Sequence, residues 1–201
     1  RAAVQPLSIR ADAADSNDRV DLALRLSLEY IRDVVALLPP LVVDLSVHDD
    51  PPPLIWSDAM YEEGAELEDG GGWLVLFRSS SGRPPEVVIG YGHTPRHVRE
   101  AFVAGKKSYI GQLEKVWAGS PYMTLRERLA NTRPIHFIDN TSAIAGLVKG
   151  YARPIDSAKI VHVVSAVCAA IGCTPWYVYV RSKANIADLP SRFAILELMR
   201  M

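Results

Sequence analysis

His136-Phe137-Ile138-Asp139-Asn140-Thr141 is the stretch on which the reading of the whole chain turns. Ile135, Phe137 and Ile138 form a short apolar body that predicts a buried strand, with Asp139 at its C-terminal end. Asn140 or Thr141 is placed to cap a following helix, Ser142 to Lys149, which Gly150 closes. In an open α/β sheet, chemistry collects where strands end and loops begin. An acid there is a candidate ligand or acid/base group, and the question becomes which other carboxylates can reach it.

Working outward, Leu54-Ile55-Trp56-Ser57-Asp58-Ala59 predicts a second short strand that also runs into an acid. Gly70-Gly71-Gly72 reads as a turn into a strand over Trp73 to Phe77, and Glu86 to Tyr91 as a further strand, together an antiparallel meander. Ser108 to Trp117 predicts a helix with Ile110, Leu113 and Trp117 on its apolar face and Glu114 beside that face; Met123 to Leu129 continues it. Ile155 to Ile171 is another apolar helical run, stopped by Gly172. Trp176 to Val180 is the last strand, and Asn185 is read as the cap of a final helix carrying Asp188. The order is β-β-β-α-β-α-α-β-α, an α/β domain without internal repeats.

Before this domain, Val20, Leu24, Leu28, Ile31, Val35 and Leu38 recur at helical spacing, with Asp18 as cap and Pro39-Pro40 as stop. Residues 1–52 are therefore read as an N-terminal linker and helix, which the resemblance described below makes a tether, and residues 53–201 as the main domain. The chain starts at Arg1 rather than Met, which suggests a piece of a longer product. An apolar fraction of 49% and a net charge of -1 describe a globular protein and argue against a strongly basic nucleic-acid binder, though not against a local basic face such as Arg96 to Lys107. No stretch approaches the roughly 18 apolar residues of a membrane span, so no membrane partner is expected. Cys168 and Cys173 fit no zinc pattern and read as small buried residues of a reducing, intracellular compartment, cytoplasm or nucleus. Trp73, Trp117 and Trp176 read as core, and the acids from Tyr61 to Asp69 as an exposed loop.

If the Asp58 and Asp139 strands are parallel neighbours, their carboxylates lie side by side. Glu114 comes from a helix able to cross that sheet, and Asp188 from the start of the last helix. Bare anions gathered in a water-poor space repel and raise one another's pKa. A pair of hard divalent cations removes the conflict. Oxygen-only ligands favour Mg²⁺, with Mn²⁺ able to substitute. Two such ions about 4 Å apart can activate a water and stabilise the leaving oxygen of a phosphodiester.

Four segments carry a resemblance: Trp56-Ser57-Asp58-Ala59, Ile110-Gly111-Gln112-Leu113-Glu114, Phe137-Ile138-Asp139-Asn140, and the long run Val180-Arg181-Ser182-Lys183-Ala184-Asn185-Ile186-Ala187-Asp188-Leu189-Pro190-Ser191-Arg192. In this order they resemble the ribonuclease H domain of retroelement reverse transcriptases, in wording nearest the DIRS-like, tyrosine-recombinase branch; Leu147-Val148-Lys149-Gly150 fits that branch too. The resemblance covers Leu54 to about Phe193. It implies a ribonuclease H-like mixed sheet of five strands, three antiparallel then two parallel, with helices on both faces. It implies Asp58, Glu114, Asp139 and Asp188 as catalytic and metal-binding residues. Asp58 would bridge two Mg²⁺ ions, Asp188 would help hold the ion that activates water, and Glu114 and Asp139 the ion facing the leaving group. The substrate would be the RNA strand of an RNA·DNA hybrid, recognised through 2′-hydroxyls along the minor groove. Ser57, Gln112, Asn140, Lys183 and Asn185 are the candidate substrate contacts. A polymerase domain in the same polyprotein would be the partner.

The resemblance is incomplete. Many ribonucleases H carry a His in the loop before the last Asp, where this chain has Arg181-Ser182-Lys183-Ala184; Lys183 is the residue placed to substitute in part. The segment Tyr151 to Lys159 offers only Arg153 and Lys159 as a basic handle, so weak hybrid affinity of the isolated domain is expected. Proofreading exonucleases usually carry Asp-x-Glu on the first strand, where Asp58-Ala59-Met60 stands here. Integrases end their acidic set with Glu rather than Asp188. The reading that stays open beside the nuclease is a non-cleaving module that tethers nucleic acid or serves as structure.

Overall fold

In the computed structural model, residues 20–37, 51–62, 69–78, 82, 84–102 and 108–200 are described. The chain divides into two compact units, Arg1–His48 and Asp49–Met201. In the first, helix α1 spans Leu22–Leu37. Its cap is Asp21, whose carboxylate accepts from the Leu24 N–H at 2.7 Å. The cap read at Asp18, the stop at Pro39-Pro40, the acidic run from Glu63 to Glu68 and Lys106-Lys107 lie outside the described residues.

The second unit is built on a sheet of order β3-β2-β1-β4-β5. Strands β1 (Leu54–Tyr61), β2 (Asp69–Phe77) and β3 (Glu86–Gly92) form the antiparallel meander. Strands β4 (Ile135–Ile138) and β5 (Trp176–Tyr179) are parallel to β1 and to each other. This is the expected mixed, ribonuclease H-like sheet. Between the strands lie α2 (Arg96–Glu100), α3 (Ile110–Thr124), α4 (Arg126–Leu129), α5 (Thr141–Lys149) and α6 (Ile155–Ala170). After β5 come a 3-10 turn (Ser182–Ala184), α7 (Asp188–Ser191) and α8 (Ile195–Leu198). The helix after β4 has the expected ends. The Asn140 side chain accepts from the Ala143 N–H at 3.0 Å, and Gly150 closes the helix in the left-handed conformation at φ 63°.

The glycine triplet is not a turn. Gly70, Gly71 and Gly72 lie inside β2, paired with Met60, Ala59 and Asp58. Glycine is disfavoured in strand interiors, yet here both faces of the sheet require it. A Cβ on Gly71 would lie 2.0 Å from the Trp117 indole of α3, while Cβ atoms on Gly70 and Gly72 would lie 2.3 Å and 2.6 Å from the backbone of Ser191 in α7. Because side chains alternate along a strand, α3 and α7 press on opposite faces of the same three residues. Trp117 also donates its indole N–H to Thr94 Oγ1 at 3.1 Å, which ties α3 to the end of β3.

The core includes Ile55, Val75, Leu113, Tyr122, Ile138 and Val161. Trp73 and Trp117 belong to it, whereas Trp176 is 73% exposed. Trp176 opens β5, the edge strand of the sheet. Cys168 and Cys173 are buried free thiols, as expected.

Candidate metal centre

Strand register brings the first two acids together. Trp56 pairs with Phe137 across the parallel β1–β4 ladder. Asp58 and Asp139 each follow by two residues, so they stand level and on the same side. Strand β4 ends at Ile138, and beyond that point β1 has no neighbour on this flank. Through that gap Glu114 enters from α3, one turn before the Trp117 that Gly71 admits to the sheet. Glu114 accepts a hydrogen bond from the Ala59 backbone N–H. Oxygens of Asp58, Glu114 and Asp139 all lie within 4.8 Å of one another.

The three acids are packed against their electrostatic preference. Asp58 and Glu114 are buried and Asp139 half-buried. Burial is the main cause that pushes the Asp58 carboxyl up to about 7; the Ser191 hydroxyl bond opposes it, and the charges of Asp139 and Asp188 add to it. Burial, then Asp58 and Asp139, push Glu114 up to about 9, against Lys115 and the Ala59 bond. Glu114 Oε2 is buried without a hydrogen-bond partner. An orphaned carboxylate oxygen among two further acids is the donor set of a hard divalent cation, which would satisfy that oxygen and remove the repulsion. The residues therefore fit a hard divalent cation.

Asp188 stands apart from this trio. It opens α7, is 43% exposed, and accepts from Arg192 Nε at 2.8 Å. Its charge still reaches Asp58. Of the candidate substrate contacts, Ser57, Gln112 and Asn185 have their side chains engaged inside the fold. Ser57 is fully buried and its hydroxyl bonds His136 Nε2 at 2.9 Å, because it faces away from Asp58 into the core. Gln112 is buried and donates to Asp156 at 3.1 Å. The cap position of α7 is Ala187 rather than Asn185, although the Asn185 side-chain oxygen accepts from the Ala187 N–H at 3.3 Å, before the helix. The Asn185 amide is buried, donates to the Ser57 carbonyl at 3.0 Å and lies 3.5 Å from Asp58 Oδ1. Asn140 gives its side-chain oxygen to the α5 cap and is half-buried, and Lys183 is exposed in the 3-10 turn.

Two contributors were not foreseen. Ser191 is fully buried and its hydroxyl lies 2.5 Å from Asp58 Oδ2. Its sequence signal was its place in the long last motif, three residues after Asp188. His136 is fully buried between Ser57 and Tyr122, whose hydroxyl is 2.8 Å from Nδ1, and burial lowers its pKa to about 3. It pins β1 to β4 directly beneath the acids. Near the start of α3, a cavity of about 350 Å³ is lined by Tyr61, Arg96, Arg99, Glu100, Phe102, Tyr109 and Leu113.

No family model matches the chain, and no curated protein matches it. Among solved structures it is similar to RNase H1 from the halophilic archaeon Halobacterium salinarum NRC-1, with a TM-score of 0.53 over 72% of this chain and 98% of that one, at 11% identity. Weaker likenesses are to an N-terminal RNase H domain from Mycobacterium tuberculosis, with a TM-score of 0.48, 13% identity and coverage of 74% and 96%, and to a foamy viral protease-reverse transcriptase in complex with RNA/DNA hybrid. The last has a TM-score of 0.44 and 7% identity, over 99% of this chain and 28% of that one. At such identities the archaeal likeness is one of fold.

Proposed function

We propose that this domain hydrolyses the RNA strand of RNA·DNA hybrids with divalent cations, as part of a retroelement polyprotein of the DIRS-like branch. The observation that carries the reading is the meeting of Asp58, Glu114 and Asp139 within 4.8 Å from three separate segments, with a buried oxygen left unpaired. Such an arrangement lowers the stability of the metal-free fold, and clusters of this kind gather at functional sites. The ribonuclease H-like fold and the order of the four sequence motifs point the same way.

Asp58, Glu114 and Asp139 would hold the cations, with Asp188 as the fourth carboxylate. Such ions, when bound, supply Lewis acidity and make water a nucleophile near neutral pH. The chain's own part is to gather the anions, exclude water around Glu114 and fix Asp58 from α7. Arg192 sets the position of Asp188 at the rim, and its partial exposure suits a group facing the solvent side. Arg96 and Arg99 edge the cavity beside α3, where they would meet the hybrid backbone; Lys183 offers a further positive charge before Asp188. Residues 1–52 would tether this domain, residues 53–201, to a polymerase domain that supplies much of the hybrid affinity.

A non-cleaving hybrid-binding module is the competing reading, and it draws on Asp188 standing apart with Arg192. A labelled hybrid separates the two. Cleavage that requires Mg²⁺ or Mn²⁺ and disappears in Asp139→Asn is expected. Binding of the hybrid with no cut product at any metal concentration would reject the hydrolase.

A further inference from the structure

We propose that Ser191 is a positioning residue for Asp58, and that Gly72, on a different strand, acts in the same role by making room for it. The inference rests on the metal-site reading above but concerns residues outside the acidic set. Asp58 Oδ2 has the Ser191 hydroxyl at 2.5 Å, the shortest side-chain contact to this carboxylate; Asn185 on the other oxygen is at 3.5 Å. The same hydroxyl lies 2.9 Å from the Asp188 carbonyl. A serine has one proton, so it donates to one of these acceptors at a time, and the carboxylate is the stronger. Ser191 itself is held by its backbone N–H on Ala187 O at 3.0 Å. Thus one short helix carries Asp188 and also fixes which way Asp58 points.

That helix reaches Asp58 because position 72 has no side chain. Gly72 is the register partner of Asp58, so the two face the same way. A Cβ there would lie 2.6 Å from Ser191 N and 2.7 Å from Pro190 C. Both are backbone atoms, which yield only if α7 moves off the sheet. Docking of α7 and orientation of the central carboxylate are therefore one event.

The test is Mn²⁺ binding to the full chain by calorimetry, without substrate. Ser191→Ala should weaken binding about tenfold, a change of about 1.4 kcal/mol. Gly72→Ala should weaken binding to a similar degree, and the double variant no further than Gly72→Ala alone. Thr94→Val, which removes another buried hydroxyl, should leave binding unchanged. Wild-type affinity in Ser191→Ala overturns the role of Ser191, and additive losses in the double variant overturn that of Gly72. A metal-free crystal structure of Ser191→Ala reads the orientation directly. Asp58 turned away from Glu114 and Asp139 supports the proposal; an unmoved carboxylate overturns it. Absence of Mn²⁺ binding in the wild type would reject the metal site and leave this second measurement to decide on Ser191.

Discussion

Ser57 and Asp58 are neighbours on one strand and buried to a similar degree, yet they belong to opposite kinds of polar site. On one side of β1, Ser57, His136 and Tyr122 form a closed chain in which both imidazole nitrogens have partners. On the other, Asp58 meets two further acids, and Glu114 keeps an oxygen with none. Satisfied buried polar groups specify a fold; unsatisfied, like-charged ones lower its stability. Two environments so different, one residue apart, are what the proposed metal site requires of this strand.

The sharpest way to break this contrast is Glu114→Gln. On the acidic side, removing a charge should stabilise the metal-free protein while abolishing its chemistry. Hybrid cleavage should fall by more than about a hundredfold, beyond the usual cost of an outer-shell partner. The stability gain follows from linkage. The Glu114 carboxyl is raised to about 9 in the folded chain, from an ordinary value of 4.5, and Asp58 to about 7. Between these limits the native state holds more protons than the unfolded chain, so stability falls as pH rises. Without divalent ions, the melting temperature should decline from about pH 4.5 to about pH 9; Mg²⁺ or Glu114→Gln should flatten the decline. A metal-free melting temperature that climbs over this interval would mean the acids are not in conflict.

The satisfied side should respond in the opposite manner. Tyr122→Phe leaves His136 Nδ1 buried without its partner, at a cost of about 1–3 kcal/mol in urea unfolding, and should leave Mn²⁺ affinity as it was. His136 contributes in the opposite sense. Burial lowers its pKa to about 3, so between about pH 3 and 6.5 it binds fewer protons in the native state than in the unfolded chain; this contribution is lost as pH falls and offsets part of what the two acids gain there. A His136→Asn variant should therefore show a steeper decline between about pH 4.5 and 6.5 than the wild type, and equal slopes would undo the contrast.

Much of this arrangement was legible because it is local. A strand body followed by an acid, an Asn cap and a Gly stop are decided within ten residues, and β4–α5 formed as expected. The parallel alignment of Asp58 and Asp139 could be posed as a condition but not read, since register depends on partners far along the chain. Gly70-Gly71-Gly72 misled for that reason. Alone, three glycines signal a turn, and only α3 and α7 pressing from both faces make them strand. Ser191 was equally hidden, for a serine within a helix carries no mark of the carboxylate it will meet. The resemblance alone makes Ser57, Gln112 and Asn185 candidate substrate contacts, since nothing in the sequence marks which polar neighbours of the acids turn inward. Here the sheet and α7 turn them inward, onto His136, Asp156 and the Ser57 carbonyl.

Lys183 gives the finest test, because it lies outside both buried networks. It is exposed in the 3-10 turn that leads to Asp188. If it meets the hybrid backbone, its contribution is counterion release alone. Lys183→Ala should then weaken hybrid binding about two- to threefold at ~0.1 M salt and lower the slope of log affinity against log salt by about 1. Melting temperature and Mn²⁺ affinity should not change, unlike the effects of Tyr122→Phe and Ser191→Ala respectively. The salt slope is the decisive readout, since a contact to a base edge would weaken binding without altering it. Identical slopes for the two proteins would remove Lys183 from the substrate path and leave hybrid recognition on this side to other residues.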